Sequence, residues 1–235
     1  MKTWLSPLLL ATSIANAQSI PGAVLAKREP HHHLVYEDST LRVLRVRVPA
    51  HDTTLLHEHD PDYFWIALGA STVVNAKLGS TDARITSADL SMHYTPGKFA
   101  HVARNPGNTP FDNITVELLR PQTKVRNLCE PALGDKPLEC PVTATTPSAG
   151  VSEHLAFATD RLRVSLVTIA PGATFHSVSN TKRTWLIALD SADAGRRLAF
   201  EDGTTWIGGT SRRDKQWALD NTGRAPIRVI AVVER

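Results

Sequence analysis

The sequence predicts an all-β protein built from two tandem copies of one domain, and three observations indicate this. Short apolar runs rich in β-branched residues recur along the chain, and LRVLRVRV at 41–48 alternates apolar and basic residues. These runs are bounded by Gly, Pro, Asn or Asp, and no long stretch keeps an apolar period of 3.6 residues. The two halves of the chain also align with each other. Together these observations predict a β-sandwich or β-barrel that occurs twice.

The first residues have the form of a secretory signal peptide. Lys2 supplies a positive start, an apolar run follows from Leu5 to Ile14, and Ala15-Asn16-Ala17 is typical of a cleavage site. The apolar run is shorter than the roughly 20 residues that span a bilayer. We therefore expect cleavage of residues 1–17 near Ala17, no membrane span, and a secreted or periplasmic protein that begins with an extension over residues 18–30.

Cys129 and Cys140 lie in a proline-rich connection that we place at residues 123–150, with no strand of its own. An exported chain meets oxidising conditions, so we expect these two cysteines to form a disulfide. Their spacing is not the C-x-x-C of a redox or zinc motif, which favours a structural role. In the chain-entropy model, closing such a short loop stabilises the fold by roughly 3 kcal/mol.

The charge pattern argues against one class of partner. The formal net charge is +3, and Lys and Arg are scattered among Asp and Glu without a basic block. A nucleic acid is therefore not an expected partner. A small-molecule ligand or substrate is the expected partner, and a homo-oligomer is compatible with the sequence.

The duplication is visible as two nearly constant offsets. An offset of 121 aligns HLVYEDSTLRVLRV (33–46) with HLAFATDRLRVSLV (154–167), and IAL (66–68) with IAL (187–189). Further on, an offset of 116 aligns Asn105-Pro106-Gly107 with Asn221-Thr222-Gly223. Two constant offsets over this length indicate two copies of one β-domain.

A group of histidines is present in the first copy and missing from the second. They begin in LLHEHDPDYFWIALG (55–69). The alignment places His57, His59 and His101 on Val178, Asn180 and Trp217. The apolar framework is repeated but the histidines are not, so we interpret them as one unit with a role other than packing. Residues i and i+2 of a strand share a face, so His57 and His59 can present their imidazoles together.

Such a set of side chains suits a metal ion. Three neutral imidazoles, with or without a carboxylate, are suitable ligands for iron, manganese, zinc, nickel or copper. They would leave one or more coordination positions open to water or to a substrate. We therefore expect one divalent transition metal, whose identity the sequence does not decide.

These residues resemble the two motifs of the cupin superfamily. H-E-H followed by a carboxylate and Gly69 is similar to the first motif, and Pro96, His101 and Asn105 resemble the second, P-x-G-x-x-H-x-x-x-N. Because the resemblance covers both halves, the chain resembles a bicupin. This implies two tandem jelly-roll β-barrels (double-stranded β-helices). The first, over residues 31–122, would bind metal through His57, His59 and His101. The second, over residues 151–235, would be degenerate.

The family usually has a glutamate as the fourth ligand, and the resemblance makes Asp62 the candidate here. Asp62 has the expected distance to Gly69, but it is closer to His59 than usual and one methylene shorter than glutamate. Two alternatives remain open: three histidines with Asp62, or three histidines with water. His51 and Lys98 stand where the family motifs have glycine.

Other histidines are expected to lie outside the metal site. His31, His32 and His33 precede the first strand, and His33 matches His154 in the second half, which favours a structural role for this run. His176 lies two positions before the equivalent of His57, without an evident histidine partner. We therefore expect no metal in the second half.

The resemblance implies a metal-dependent enzyme that acts on a small organic molecule, and the signal peptide predicts that this enzyme is exported. Oxidoreductase chemistry of the dioxygenase type is the leading hypothesis. Decarboxylation and isomerisation are compatible with the same residues. Tyr63, His51 and His93 are candidates to move protons. Two alternatives are a non-catalytic periplasmic protein that binds a small ligand or metal, and a structural bicupin in which the site is a relic.

Overall fold

A computed structural model describes residues 20–122, 125–126, 144–176, 183–189, 205–208 and 218–235 of the chain. Within these ranges the regular structure is β-strand, apart from one turn of 3-10 helix at Ala26–Arg28. No helix in the described residues is long and apolar enough to cross a membrane. The signal peptide predicted at residues 1–17 and the disulfide predicted between Cys129 and Cys140 lie outside the described residues.

The first half forms two five-stranded sheets. Their strands are β1 (Val24–Leu25), β2 (His32–Glu37), β3 (Leu41–Val48), β4 (His57–His59), β5 (Tyr63–Ala67), β6 (Ser71–Lys77), β7 (Ala83–Ser87), β8 (Met92–Thr95), β9 (Phe99–Arg104) and β10 (Phe111–Leu118). One sheet has the order β1-β4-β9-β6-β7 and the other β2-β3-β10-β5-β8. Neighbouring strands are antiparallel except β1 and β4. The two sheets enclose one apolar interior, as expected for the jelly-roll barrel.

The second half repeats this arrangement in the residues that the structure describes. Its strands are β11 (Val125–Arg126), β12 (Ala144–Ser148), β13 (Val151–Thr159), β14 (Leu162–Ile169), β15 (Thr174–His176), β16 (Thr184–Ala188), β17 (Thr205–Gly208), β18 (Ala218–Asp220) and β19 (Ile227–Glu234). A large sheet has the order β11-β13-β14-β19-β16-β17, with β12 also paired to β13, and β15 pairs with β18. The all-β prediction is therefore confirmed.

Two predicted boundaries differ from the structure. The connection at 123–150 contributes β11 and β12, because the exposed edge of β13 offers backbone groups that these segments satisfy. The extension at 18–30 is also part of the first barrel from Ile20 onward. Its strand β1 pairs with β4, and the Ile20 N–H donates to Glu58 Oε2 at 2.8 Å.

One asparagine in each half stabilises an equivalent turn through side-chain hydrogen bonds. The Asn105 side-chain amide donates to the carbonyls of Val48 and Thr109 at 3.0 and 2.8 Å, and its Oδ1 accepts the Gly107 N–H at 2.9 Å. Asn221 makes the equivalent bonds with Ile169, Ala225 and Gly223. Every partner of Asn221 lies at the offset of 121 or 116 that the sequence predicts. The alignment of the two halves is therefore also an alignment of their structures.

A shared apolar cluster joins the two halves. Phe64 and Ile66 of β5 pack in this cluster with Phe157, Trp185 and Ile187 of the second half, and the rings of Phe64 and Phe157 meet edge to face at 5.2 Å. Strands β5 and β16 are buried along their whole length. This explains their uninterrupted apolar sequences, YFWIA and TWLIA, because each strand has one side in the shared cluster and the other in a barrel.

The inward face of β10 carries polar groups into the first barrel. Because side chains alternate along a strand, Ile114 and Val116 reach the shared cluster, whereas Asn113, Thr115 and Glu117 point to the barrel interior. All three of these inward polar residues are buried. The barrel interior therefore contains buried polar side chains of β10 beside the apolar side chains of its core.

Candidate metal site

The structure brings the three histidines predicted as ligands together inside the first barrel. His57 and His59 lie on the inward face of β4, with ring centroids 5.2 Å apart. His101 on β9 is paired in register with His57, and its ring lies 4.3 Å from that of His57 and 5.4 Å from that of His59. All three rings are buried.

His32 is a fourth histidine of this group, and sequence reasoning missed it. Its ring on β2 lies 4.6 Å from that of His57 and 6.0 Å from that of His59. Ligand atoms of His32, His57 and His59 all lie within 4.8 Å of one another. The sequence carries a signal for it, because the offset of 121 places His32 on Glu153 while its neighbour His33 is matched by His154. His32 is thus another histidine that the second copy lacks.

Each of the four imidazoles is oriented by an oxygen acceptor at Nδ1. The acceptors are Leu55 O for His57 (2.9 Å), Glu117 Oε1 for His59 (2.9 Å), Asn75 Oδ1 for His101 (2.7 Å) and Glu29 Oε2 for His32 (2.6 Å). A carbonyl or carboxylate oxygen accepts, so each Nδ1 carries the proton and the lone pair is on Nε2. Metal-binding histidines typically have this arrangement.

The remaining ring nitrogens supply the test of whether these residues fit a metal. Nε2 of His57 and Nε2 of His101 are buried and have no hydrogen-bond partner in the part of the chain that the structure describes. A buried acceptor without a partner is costly in a folded protein. A metal ion bound by the Nε2 atoms would remove this cost, so the residues fit a metal.

The electrostatics of the site favour neutral imidazoles. Burial, together with the neighbouring His32 and His59, lowers the pKa of His57 to about 3. Burial and the same kind of neighbours place the pKa of His101 well below its usual value, and burial lowers the pKa of His32. These three rings are therefore neutral at pH 7, which is the state that binds a metal.

Two buried carboxylates, Glu29 and Glu117, form hydrogen bonds with Nδ1 of His32 and His59. Burial raises the pKa of Glu29, but hydrogen bonds from His32 and His31 outweigh it, and the pKa is about 2. Burial likewise raises the pKa of Glu117, and contacts with His59 and Arg42 lower it below the usual value. Both carboxylates are thus ionised. Their oxygens are held by His32 and His59, and neither belongs to the group of close ligand atoms.

The structure does not bring Asp62 to the histidines. Asp62 Oδ2 accepts the Tyr94 hydroxyl at 2.5 Å, and Oδ1 accepts the Gly97 N–H at 2.9 Å. Tyr94 belongs to the shared cluster between the halves, so the Asp62 carboxylate is turned to that side of β5 and away from the barrel interior. The turn is tight, because a Cβ on Gly97 would lie 2.4 Å from backbone atoms of Asp60 and Pro61.

Only one of the three candidates for proton transfer lies at the histidines. The Tyr63 ring stacks on His59 with centroids 4.1 Å apart, and Tyr63 lines the cavity. His51 is exposed, in a left-handed backbone conformation, and binds Asn108 Oδ1 at 3.0 Å. His93 is buried against the far side of Trp65 and outside the cavity lining, with ring centroids 4.0 Å apart.

A small cavity of about 50 Å³ opens beside the histidines. It is lined by His32, Val46, His57, His59, Tyr63, Trp65, Val73, Asn75, Ile85, His101, Ala103, Phe111, Asn113 and Thr115. At about 10–15 Å³ for each water molecule, it holds a few waters or a small ligand. The space for a substrate therefore adjoins the four histidines.

The described residues of the second half do not form a comparable group of potential metal ligands. His176 is exposed at the end of β15. Val178, Asn180 and Trp217, which the alignment places on the three histidines, lie outside the described residues. Among the described residues of the whole chain, the close group of potential metal-binding atoms is the one in the first half.

The metal-free protein is expected to lose stability as the pH falls below about 6.5. The pKa values of His32, His57 and His101 are lower in the folded state than in an unfolded chain, so unfolding takes up protons and the free energy of unfolding decreases with decreasing pH. His57, whose pKa is about 3, contributes roughly 1 kcal/mol between pH 7.5 and 5.5, and His32 and His101 act in the same direction. His31 opposes this: burial lowers its pKa, but Glu29 and Asp52 raise it above the usual value.

Urea unfolding of the metal-free protein at pH 7.5 and 5.5 measures this effect. We expect the free energy of unfolding to be lower at pH 5.5. Equal or greater stability at pH 5.5 would mean that the histidines are not buried as neutral rings.

Comparisons with known proteins show a similarity of fold to solved structures. No protein-family model and no curated protein sequence matches the chain. Solved structures do match. Oxalate decarboxylase from Lactobacillus farciminis in its formate complex is 11% identical, with 87% of this chain and 84% of that chain covered and a TM-score of 0.58.

Two further structures are similar at the same level. AerE from Microcystis aeruginosa is 10% identical, with 88% of this chain and 93% of that chain covered and a TM-score of 0.56. A mutant form of salicylate 1,2-dioxygenase from Pseudoaminobacter salicylatoxidans is 14% identical, with 85% and 72% covered and a TM-score of 0.50. At these identities the likeness concerns the fold alone, and it extends over both halves.

Proposed function

Because the chain has the two-barrel fold of the cupin superfamily, we propose that it is a metal-dependent enzyme acting on a small organic molecule in its first barrel. The observation that carries this proposal is the common orientation of four histidines. Each Nδ1 is tied to an oxygen, and the Nε2 atoms of His57 and His101 are buried without a hydrogen-bond partner among the described residues. In a barrel that binds no metal, these buried acceptors without partners would only cost stability.

The residues that would hold the ion are His32, His57, His59 and His101. Iron, manganese, zinc, nickel or copper suits imidazole ligands, and such an ion would supply Lewis-acid or redox chemistry. The chain itself contributes orientation and shielding. Glu29 and Glu117 fix the rings of His32 and His59, and Trp65 and Phe111 keep the adjoining space apolar. Tyr63, stacked on His59, is the residue placed to hold or move a proton beside a bound substrate.

The reaction class that we propose is oxidoreductase chemistry of the dioxygenase type. Two observations support it: an all-histidine set of potential ligands, and likeness in fold to a salicylate 1,2-dioxygenase. Decarboxylation is the second reaction class, because oxalate decarboxylases have a similar fold. The predicted signal peptide supports export, so we propose that the enzyme works outside the cytoplasm.

Turnover of the metal-loaded protein tests this proposal. The protein is loaded in separate samples with iron(II), manganese(II), zinc(II), nickel(II) or copper(II) and incubated with carboxylates, thiols, phenols and enolisable ketones. Oxygen consumption and product formation are followed. We expect turnover with at least one metal and none in metal-free protein. Stoichiometric metal binding without turnover on any panel member would favour the non-catalytic binding protein.

A matched pair of variants tests the unexpected ligand. His32 points into the barrel, whereas His33 on the same strand is exposed. His32→Ala is expected to weaken metal binding by more than about 10-fold, because His32 is one of the four imidazoles and loss of even an outer hydrogen-bond partner of a ligand costs about 10–100-fold. His33→Ala should leave the metal affinity and the turnover unchanged. Equal metal affinities of the two variants would show that His32 is not a metal ligand.

A further inference from the structure

The cavity beside the histidines has a polar end and an apolar end. Along β6 its lining continues from Asn75 to Val73, and along β9 from His101 to Ala103. Along β10 it runs from Thr115 to Phe111. All three strands therefore lead from the histidines towards the same apolar end, which Trp65 and Ile85 complete.

The cations near the histidines lie at the opposite end. Lys77 follows Asn75 in the other direction along β6, and its Nζ lies 4.9 Å from the centre of the Phe99 ring. Arg42 binds Glu117 and also donates to Glu37 Oε2 at 2.9 Å. Among the described residues, the lining of the cavity contains neither lysine nor arginine. An anionic group at the apolar end would therefore have no cation to pair with.

The four histidines determine what kind of group binds at the polar end of the cavity. Four imidazole ligands leave the positive charge of a divalent ion without a carboxylate ligand, since Glu29 and Glu117 bind Nδ1 atoms on the outer side. One anionic oxygen group of a substrate would offset part of this charge. A second anionic group would lose its hydration among Trp65, Phe111 and Ile85, and burial of an unpaired charge is strongly unfavourable.

The apolar end has one neutral polar feature. The Asn113 side-chain oxygen accepts the Thr115 hydroxyl at 2.8 Å, and this leaves the Asn113 amide NH2 as a donor at the cavity wall. A carbonyl or hydroxyl oxygen is a suitable partner for this donor, and it carries no charge. The wall therefore accepts a mainly apolar group with at most one neutral oxygen.

From these observations we infer that the site takes a small molecule with a single anionic oxygen group and an apolar remainder, and that it excludes dicarboxylates. This inference rests on the proposed function, since the anionic group would bind the metal held by the histidines. It narrows the substrate class to monocarboxylates, phenols and enols with apolar substituents.

Two probes of nearly the same shape separate these classes. In 3-methylbutanoate and malonate, a carboxylate is joined through one CH2 group either to an isopropyl group or to a second carboxylate. Binding of each to the cobalt(II)-loaded protein is measured by calorimetry and by the visible absorption of cobalt. We expect 3-methylbutanoate to bind at least 10-fold more tightly. In free solution malonate chelates divalent ions better, so this preference would come from the protein.

A pair of variants links the preference to the cavity wall. Ile85 lines the apolar end, and its neighbour Thr86 on β7 is exposed. Ile85→Ala should weaken the binding of 3-methylbutanoate about 5-fold, since it removes apolar contact area. It should leave malonate binding unchanged, and Thr86→Ala should affect neither probe.

Tighter binding of malonate than of 3-methylbutanoate to the cobalt-loaded protein would overturn this inference and leave the metal site intact. Failure of the protein to retain cobalt or any of the five metals named above would instead overturn the proposed function on which the inference rests. Metal analysis of the same sample before the titration distinguishes the two outcomes.

Discussion

Replacing His57 with alanine is expected to lower the affinity for a transition metal by at least about 100-fold. His57 lies next to both His32 and His101, with ring centroids 4.6 and 4.3 Å away, so it is the central member of the group. Loss of an outer hydrogen-bond partner of a ligand already costs about 10–100-fold, and loss of the ligand itself costs more. Competition with a chromogenic chelator measures the affinity.

His176→Ala is the control for this variant. His176 is an exposed histidine of the second half, so its removal changes the histidine count without touching the group in the first barrel. We expect its metal affinity to equal that of the wild type. An unchanged affinity in His57→Ala, or a comparable loss in His176→Ala, would show that the metal binds elsewhere.

Replacing Trp185 with alanine is expected to lower the free energy of unfolding by about 3–5 kcal/mol, the range for removing a fully buried large aromatic side chain. Trp185 is 0% exposed and packs in the cluster shared by the two halves. Its indole N–H also donates to Asp38 Oδ2 of the first half at 3.1 Å. Urea unfolding of the metal-free protein, followed by circular dichroism, measures the change.

Trp185→Phe is the matched control. Phe64 stands at the corresponding position of β5 in the first half, so a phenylalanine ring is compatible with this place in the sheet. We expect Trp185→Phe to lose clearly less stability than Trp185→Ala. A loss below about 1 kcal/mol in the alanine variant, against the range expected for a buried aromatic, would mean that the two halves do not depend on the shared cluster for their stability.

Much of the fold could be predicted from the sequence because strand alternation and duplication are both local patterns. The segment LRVLRVRV forms β3 over Leu41–Val48, and its alternate residues reach either the shared cluster or the barrel. The offsets of 121 and 116 identify Asn105 and Asn221 as equivalent. The strands β11 and β12 were missed because a short edge strand depends on the backbone beside it, and its own sequence carries little signal.

The candidate site was partly predictable for the same reason. His57 and His59 share a strand face, and their loss from the second copy singled them out together with His101. Asp62 had a plausible place in the motif, but one residue of spacing decides which face of a strand a side chain occupies, and Asp62 binds Tyr94 instead. Glu29 and Glu117 could not be identified, because their contacts depend on how the chain brings its strands together in the barrel.

The metal content of the wild-type protein tests the central claim of a metal site most directly. The purified protein is stripped with a chelator and loaded in separate samples with iron(II), manganese(II), zinc(II), nickel(II) or copper(II). Unbound ion is removed, and metal and protein are quantified in the same sample. The geometry of His32, His57, His59 and His101 predicts about one ion per chain for at least one metal. Retention of none of the five metals would contradict it.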